Sequence, residues 1–149
     1  MIPTKLLIAL TLIAAMLVCV APMAADQAAE SAAEEVRVLY LEIVTPDMDA
    51  TCALLEELQG VKFGEPDAAL GNARTAALAG GGRIGVRKPL HESETPVVRP
   101  YLRVEDIDAA FGRVEAAEGQ VMMAPTPDQH GGRFVIYLLG GIQHAIWQP

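Results

Sequence analysis

The sequence predicts an α+β domain in which one supersecondary unit occurs twice. The stretches "PDMDATCALLEELQG" (Pro46–Gly60) and "EDIDAAFGRVEAAEG" (Glu105–Gly119) both read aspartate, apolar residue, aspartate, alanine, then helical spacing, then glycine. Sliding the chain on itself by 59 residues adds identities that fall mostly at turns and helix caps. The matched pairs are Asp47/Asp106, Asp49/Asp108, Ala50/Ala109, Glu56/Glu115, Gly60/Gly119, Pro66/Pro125, Arg74/Arg133, Gly81/Gly140 and Gly82/Gly141.

The first unit is predicted to have the order β-α-β-β-β. It begins with "VRVLYLEIV" (Val36–Val44), whose β-branched and aromatic residues are typical of a strand. Asp47 or Asp49 is expected to cap a helix that ends at Gly60. Three shorter strands are predicted in "VKFGEP", "NARTAALA" and "GRIGVRK", and the glycines of "GGG" indicate a hairpin between the last two.

The second unit repeats this order. Its predicted elements are "RPYLRV", a helix over Asp106–Ala117, "QVMMAP", "GRFVIYLL" and "IQHAIWQ". The sequence therefore indicates one domain over residues 36–149, built from repeats at about 36–90 and 95–149.

Residues 1–25 are predicted to be a signal peptide. Lys5 precedes an apolar run from Leu6 to Val20, and the small residues Ala24 and Ala25 follow. The run of about 15 residues is shorter than the ~20 that span a bilayer comfortably. We therefore expect a periplasmic or secreted protein, with a membrane-tethered form held by an uncleaved N-terminal helix as the alternative. Residues 26–35, rich in alanine and glutamate, are expected to form a flexible tether.

Composition and charge exclude some partners. The chain is 52% hydrophobic and 20% charged, which is typical of a globular protein. Its net charge is −8, and loss of Lys5 with the leader would make it −8 − 1 = −9. This argues against nucleic acid and against an anionic membrane surface as partners. Only Cys52 remains outside the leader, so no internal disulfide is expected. Whether the chain forms a homodimer is left open.

Two βαβββ units, together with "IVTPDMDA", "LRVEDIDAAF" and the terminal "GGIQHAIWQ", resemble the vicinal oxygen chelate superfamily. This superfamily includes glyoxalase I, extradiol dioxygenases and bleomycin-binding proteins. The resemblance covers Val36 to Gln148. It implies an eight-stranded, half-open cup with four strands from each unit and with the helices on the outer face.

Enzymes of this superfamily hold one metal ion in the cup through His, Gln or Glu of the first and last strands of each unit. The corresponding positions here are Tyr40, Val86, Arg99 and Ala145, and none suits a hard divalent cation. The sequence therefore departs from the metal-binding pattern, and we expect no cofactor. A metal site would have to use Glu42 and His144, with His130 as a third ligand.

Strand alternation predicts what the cup contains. Residues two apart share a face, which assigns a set of aromatic and polar side chains to the interior. The predicted ligand-binding residues are Tyr40, Glu42, Arg99, Tyr101, Arg103, Gln143 and Trp147. Two arginines against one carboxylate would favour an anionic or carbonyl-rich organic molecule. His91 and His130 are expected in loops, where either could belong to a lid.

Three functions are compatible with this pattern. The first is a module that binds a small molecule in the cup without the usual metal site. The second is a glyoxalase-type lyase or isomerase, or a dioxygenase, that uses an atypical metal site or acid–base chemistry, with Glu42 and His144 as candidate catalytic residues. His144 would face the cup in place of Ala145 if the last strand were shifted by one residue. The third is a scaffold for a protein partner.

Overall fold

The computed structural model describes residues 35–149, which form seven strands and two helices. The predicted leader and nearly all of the tether lie outside this range. The elements are β1 Val38–Val44, α1 Met48–Gln59, β2 Arg74–Ala77, β3 Arg83–Arg87, β4 Val97–Arg103, α2 Ile107–Ala116, β5 Gln120–Pro127, β6 Arg133–Leu139 and β7 Ile142–Gln148, with a short 3-10 turn at Ala68–Leu70. Neither helix of the described range is long and apolar enough to span a bilayer.

The strands form one mixed sheet in the order β2-β3-β1-β4-β7-β6-β5. β1 and β4, the first strands of the two halves, are antiparallel at its centre, with Tyr40 opposite Tyr101 and Glu42 opposite Arg99. β3 runs parallel to β1, and β7 runs parallel to β4. The order begins at β2 and ends at β5, so the sheet is open within the described range.

The predicted strand at Val61–Pro66 does not form, and the described residues contain seven strands where the sequence predicted eight. The side chain of Phe63 is buried in the core, and its amide donates to Glu56 Oε1 at 2.8 Å. Only Gly64 donates a backbone hydrogen bond toward Thr75, and Pro66 has no N–H to offer. The apolar spacing of this segment is therefore explained by the single buried side chain of Phe63, and not by hydrogen-bonded strand pairing.

The helix starts differ between the halves. The side chain of Asp106 accepts hydrogen bonds from the amides of Asp108 and Ala109, as predicted for an N-cap. Asp47 makes no such bond, and its own amide donates to the hydroxyl of Thr45. The side-chain cap is therefore confirmed for α2. In the first half Asp47 occupies the N-cap position without a side-chain hydrogen bond, and the alternative residue, Asp49, lies in the first turn of α1.

The second aspartate of each stretch forms an ion pair with an arginine on a strand. Asp49 lies 3.8 Å from Arg74 of β2, and Asp108 lies 2.8 Å from Arg133 of β6. Both pairs link the first turn of a helix to the sheet. Because both aspartates are largely exposed, these pairs orient the helices more than they stabilise them.

The two faces of the sheet have different partners. On one face the helices cover two apolar clusters, which consist of Cys52, Phe63, Ala76 and Val86 in the first half and Ile107, Ala110, Val135 and Ile146 in the second. On the other face lies a third cluster made of Tyr40, Tyr101, Ile136 and Ala145. The helices therefore lie on the outer face, as expected, and leave the opposite face for a site.

Val86 belongs to the helix side and does not face the cup, contrary to the sequence alignment of the two units. In the parallel pairing of β1 with β3, Glu42 lies opposite Gly85, which places Gly85 and Arg87 on the cup side. In the second half Tyr101 lies opposite Ala145, which faces the cup as predicted. The cup-facing residues of the two last strands, Gly85 and Ala145, are therefore one residue further apart in the sequence than the 59-residue offset of the repeat.

Candidate ligand-binding site

The concave face of the sheet carries a cavity of about 390 Å³. One end is lined by charged side chains from β1, β3, β4 and the β3–β4 loop, namely Glu42, Arg87, Arg99 and Glu94. The other end is lined by the aromatic rings of Tyr40, Tyr101, Phe134 and Trp147. Leu70, Leu90, His91 and Asp128 contribute from the surrounding turns and loops.

The aromatic wall is a set of rings in edge-to-face contact. The centroids of Tyr40 and Tyr101 are 5.5 Å apart with planes tilted by 55°. Trp147 stands edge-on to Tyr40 at 6.4 Å, and Phe134 stands edge-on to Tyr101 at 6.0 Å. Such tilted contacts are favourable for aromatic quadrupoles, so the wall should be rigid before any ligand enters.

Gly85 makes room for this wall. A Cβ atom at Gly85 would overlap the hydroxyl of Tyr40 and come within 2.5 Å of two of its ring carbons. The Tyr40 ring can therefore lie against β3 only because residue 85 has no side chain.

The polar end is a chain of four alternating charges. Nε of Arg87 donates to Glu42 Oε1 at 2.7 Å, and its two terminal nitrogens donate to the two oxygens of Glu94 at 2.7 and 2.8 Å. The second oxygen of Glu42 lies 3.3 Å from Nη1 of Arg99. The side chains of Glu42, Arg87 and Arg99 are each only 6% exposed. Buried charges of this kind require partners, and here each charge has one.

The ion pairs shift the pKa values of two of these groups. Burial alone would lower the pKa of Arg87, but the carboxylates of Glu94 and Glu42 outweigh it and raise the pKa above its ordinary value. The hydrogen bonds from Arg87 lower the pKa of Glu94 to about 2, against the opposing effect of burial. A further hydrogen bond from the amide of Leu90 acts in the same direction. Both groups are therefore charged at neutral pH.

Acid should weaken the domain through Glu94. Its pKa falls from 4.5 to about 2 on folding, so the ion pair with Arg87 stabilises the folded state fully above pH 4.5. That stability should be lost as the pH falls from 4.5 toward 2. Urea denaturation at pH 6, 4 and 3 should show a steeper loss for the wild type than for Glu94→Gln, which has no carboxylate to protonate. Equal slopes for the two proteins would contradict the assignment.

Two donors at the polar end have no hydrogen-bond partner among the described residues. They are the hydroxyl of Tyr40 and Nε of Arg99, and both atoms are buried. The hydroxyl of Tyr101, in contrast, donates to Glu42 Oε2 at 3.2 Å. Burial, and secondly the nearby Glu42, raises the pKa of Tyr40, so its hydroxyl keeps its proton. Unpaired buried donors are unfavourable, so an acceptor that reached them would relieve this cost.

Five of the seven predicted lining residues face the cavity: Tyr40, Glu42, Arg99, Tyr101 and Trp147. The other two do not line it. Arg103 bonds to the exposed Glu105 at 2.8 Å. Gln143 shares the cup face of β7 with Ala145, but its side-chain oxygen is buried without a partner and away from the cavity.

The structure does not bring His144 and Glu42 together. His144 lies on the face of β7 opposite Ala145 and stacks on Tyr137, with ring centroids 5.3 Å apart and planes 17° apart. The shifted register that would turn His144 into the cup is therefore wrong. His91 lines the cavity, whereas His130 is exposed and does not.

The sequence analysis did not assign Arg87, Glu94, Phe134 or Asp128 to the cup, and all four line the cavity. Arg87 could have been found by allowing β3 the register in which Gly85 faces the cup, but Glu94 lies in a loop without periodicity. Asp128 fixes the wall: its Oδ2 accepts from Nε1 of Trp147 at 2.8 Å, and its Oδ1 accepts from backbone amides of the same loop. Burial would raise the pKa of Asp128, but these hydrogen bonds outweigh it and lower the pKa.

The donor set does not fit the superfamily's metal ion. Three of the four positions carry Tyr40, Arg99 and Ala145. At the fourth, where Val86 was predicted, Gly85 and Arg87 face the cup instead. Both oxygens of Glu42 already face guanidinium groups, which would repel a divalent cation. Within residues 35–149, no three His, Cys, Asp or Glu side chains are grouped to hold a metal. The residues at these positions therefore offer no donor set of the kind that the superfamily's metal ion uses.

No protein-family model matches the sequence, and no curated protein is detectably similar to it. Solved structures are similar in fold. Methylmalonyl-CoA epimerase from Mycobacterium tuberculosis matches with a TM-score of 0.58 and 19% identity, over 74% of this chain and 85% of that one.

Two further structures match over similar lengths. A glyoxalase/bleomycin resistance protein/dioxygenase superfamily member from Vibrio splendidus 12B01 matches with a TM-score of 0.59 and 15% identity, over 77% of this chain and 100% of that one. The hypothetical protein BH1468 from Bacillus halodurans C-125 matches with a TM-score of 0.61 and 14% identity, over 78% and 96%. At these identities the likeness establishes the fold, and the function has to be argued from the site.

Proposed function

We propose that this protein, which has the fold of the vicinal oxygen chelate superfamily, binds a small anionic or carbonyl-rich organic molecule without the usual metal site. The observation that carries the proposal is a cavity of about 390 Å³ that is lined by aromatic rings and charged side chains, and in which two lining residues keep unpaired buried donors, Tyr40 Oη and Arg99 Nε. A ligand could lay its apolar part on the rings and offer an oxygen to the donors. Such a combination is typical of organic-ligand pockets.

An isomerase is the second candidate, because a carboxylate, Glu42, lies at the polar end of the cavity and methylmalonyl-CoA epimerases share the fold. The contacts of Glu42 favour an isomerase less than they favour a binding protein. A general base needs a free oxygen within reach of the proton that it takes. Both oxygens of Glu42 are engaged by Arg87, Arg99 and Tyr101, and His144 lies on the other face of the sheet.

Arg99→Ala is expected to weaken ligand binding by about 1.5–3 kcal/mol, the usual range for hydrogen bonds to a charged group. Small molecules that co-purify with the protein would be identified by mass spectrometry and titrated back by calorimetry. Arg103→Ala is the matched control, because Arg103 lies two residues away on β4, pairs with exposed Glu105 and does not line the cavity. Equal affinities of the Arg99→Ala variant and the wild type would contradict the proposed site. So would a protein that neither carries nor binds a small organic molecule.

We also propose that the two halves are copies of one βαβββ unit. The identities at the 59-residue offset support this, as do the ion pairs Asp49–Arg74 and Asp108–Arg133, which lie at matched positions. On this view the first copy keeps its second segment, Val61–Pro66, without strand pairing.

Export belongs to the proposal as well, and its support is the pattern of residues 1–25 alone. A periplasmic or secreted domain would meet its ligand outside the cytoplasm. A membrane-tethered form is the alternative location, and the proposed site does not depend on whether the chain forms a homodimer.

A further inference from the structure

We infer that the molecule bound in the proposed site is an uncharged, planar compound that presents a carbonyl oxygen, and not an anion. The inference rests on the proposed ligand-binding function and narrows it. The sequence favoured an anionic or carbonyl-rich molecule because Arg99 and Arg103 would face Glu42 alone. The structure removes this premise, because Arg103 lies outside the cavity and a second carboxylate, Glu94, lies within it.

The charges that line the cavity give it no positive surplus. Two arginines, Arg87 and Arg99, stand against three carboxylates, Glu42, Glu94 and Asp128, so the formal sum is 2 − 3 = −1. A ligand anion would meet buried side chains, those of Glu42, Arg87 and Arg99, whose positive groups already have negative partners. Coulomb repulsion is weakly screened in such surroundings, so anions should be disfavoured.

The unpaired polar atoms argue against a cation. Every carboxylate oxygen at the site has a donor or a cation facing it: Glu42 from both arginines, Glu94 from Arg87, and Asp128 from Trp147 and its own loop. The polar atoms left without a partner are the Tyr40 hydroxyl and Arg99 Nε, which can donate. A neutral carbonyl oxygen accepts such hydrogen bonds and brings no charge.

The shape of the aromatic wall selects a flat molecule. The indole of Trp147 is fixed by Asp128, and Gly132 lies so close that a Cβ there would be 2.8 Å from the indole nitrogen. Tyr40 is similarly confined by Gly85. A preformed wall of tilted rings offers surfaces for stacking, and the cavity volume of about 390 Å³ can hold a bicyclic aromatic compound.

Three probes with the same naphthalene ring and different charge test the inference by titration calorimetry: 2-naphthamide, 2-naphthoate and protonated 2-naphthylmethylamine. We expect the amide to bind about tenfold or more tightly than either charged probe. Naphthoate or the amine binding as tightly as the amide, or more tightly, would overturn the inference and leave the ligand-binding function standing. Failure of all three to bind, together with no co-purifying small molecule, would overturn both.

A charge-removing pair of variants gives a second, independent readout. Glu94→Gln changes the formal sum at the cavity from −1 to 0, so the preference for naphthamide over naphthoate should shrink several-fold. Glu92→Gln removes the same charge from the same loop, at an exposed residue that does not line the cavity, and should leave the preference unchanged. An unchanged preference in both variants would contradict the charge argument. If Glu94→Gln does not fold, the three-probe comparison in the wild type decides.

Discussion

Arg87→Ala is expected to lower the free energy of unfolding by about 3–5 kcal/mol, the usual effect of removing one partner from a buried ion pair. Arg87 is the only described residue that faces both Glu42 and Glu94, and it makes its bonds to them at 2.7–2.8 Å. Without it, Glu94 loses the cation that holds its pKa low, and Glu42 keeps only Arg99 at 3.3 Å. Urea denaturation at neutral pH measures the loss.

Arg83→Ala is the control for this prediction. Arg83 lies on the same strand, β3, but it is half-buried and makes no ion pair within the described part of the chain. Its replacement should change stability by no more than about 0.5 kcal/mol. Comparable losses of stability for the two variants would show that Glu42 and Glu94 do not need Arg87 as a partner. The stabilising role assigned to the four alternating charges would then be contradicted.

Local sequence patterns located most of the elements. The aspartate–apolar–aspartate stretches marked the start of both helices, and alternation placed Tyr40, Glu42, Arg99 and Tyr101 on one face of the central strands. These features depend on neighbours within one strand or one helical turn, so they can be read from the chain without knowledge of the partner strands.

Register between strands could not be predicted in the same way. β3 pairs with β1 across 38 intervening residues, and the one-residue difference that brings Arg87 into the cup depends on how Val86 packs under α1. Glu94 lies in the loop after β3 and meets Arg87 only because that loop folds back, with the amide of Leu90 bonded to the Glu94 side chain. Neither the β1–β3 register nor the contact between Glu94 and Arg87 corresponds to a periodic pattern in the sequence.

The predicted strand at Val61–Pro66 shows a different limit. Val61 and Phe63 are apolar and alternate with polar residues, which is the pattern of a half-buried strand. The same pattern arises when one side chain anchors an irregular segment to a core. Here Phe63 packs with Cys52 and Val86, and its amide is satisfied by a helix side chain, so strand pairing is not needed.

Ile107→Ala is expected to destabilise the domain by about 2–5 kcal/mol, the range for a large-to-small change at a fully buried aliphatic residue. Ile107 is 0% exposed and packs with Ala110, Val135 and Ile146 beneath α2. Its backbone amide also bonds to the side chain of Gln148, so the start of the helix is held against β7. A cavity here should loosen the support of β7, which carries Trp147 into the ligand site, so weaker ligand binding should accompany the loss of stability.

Two matched substitutions test whether burial is the cause. Ile142→Ala removes the same atoms at a position that is 63% exposed on β7, and it should change stability by no more than about 0.5 kcal/mol. Met48→Ala changes the residue at the matched position of α1, which is only partly buried, and it should have an intermediate effect. Thermal or urea unfolding would rank the three variants. If Ile107→Ala lowered stability no more than Ile142→Ala, burial of Ile107 would not hold α2 against the sheet. The proposed dependence of Trp147 on this helix would then be contradicted as well.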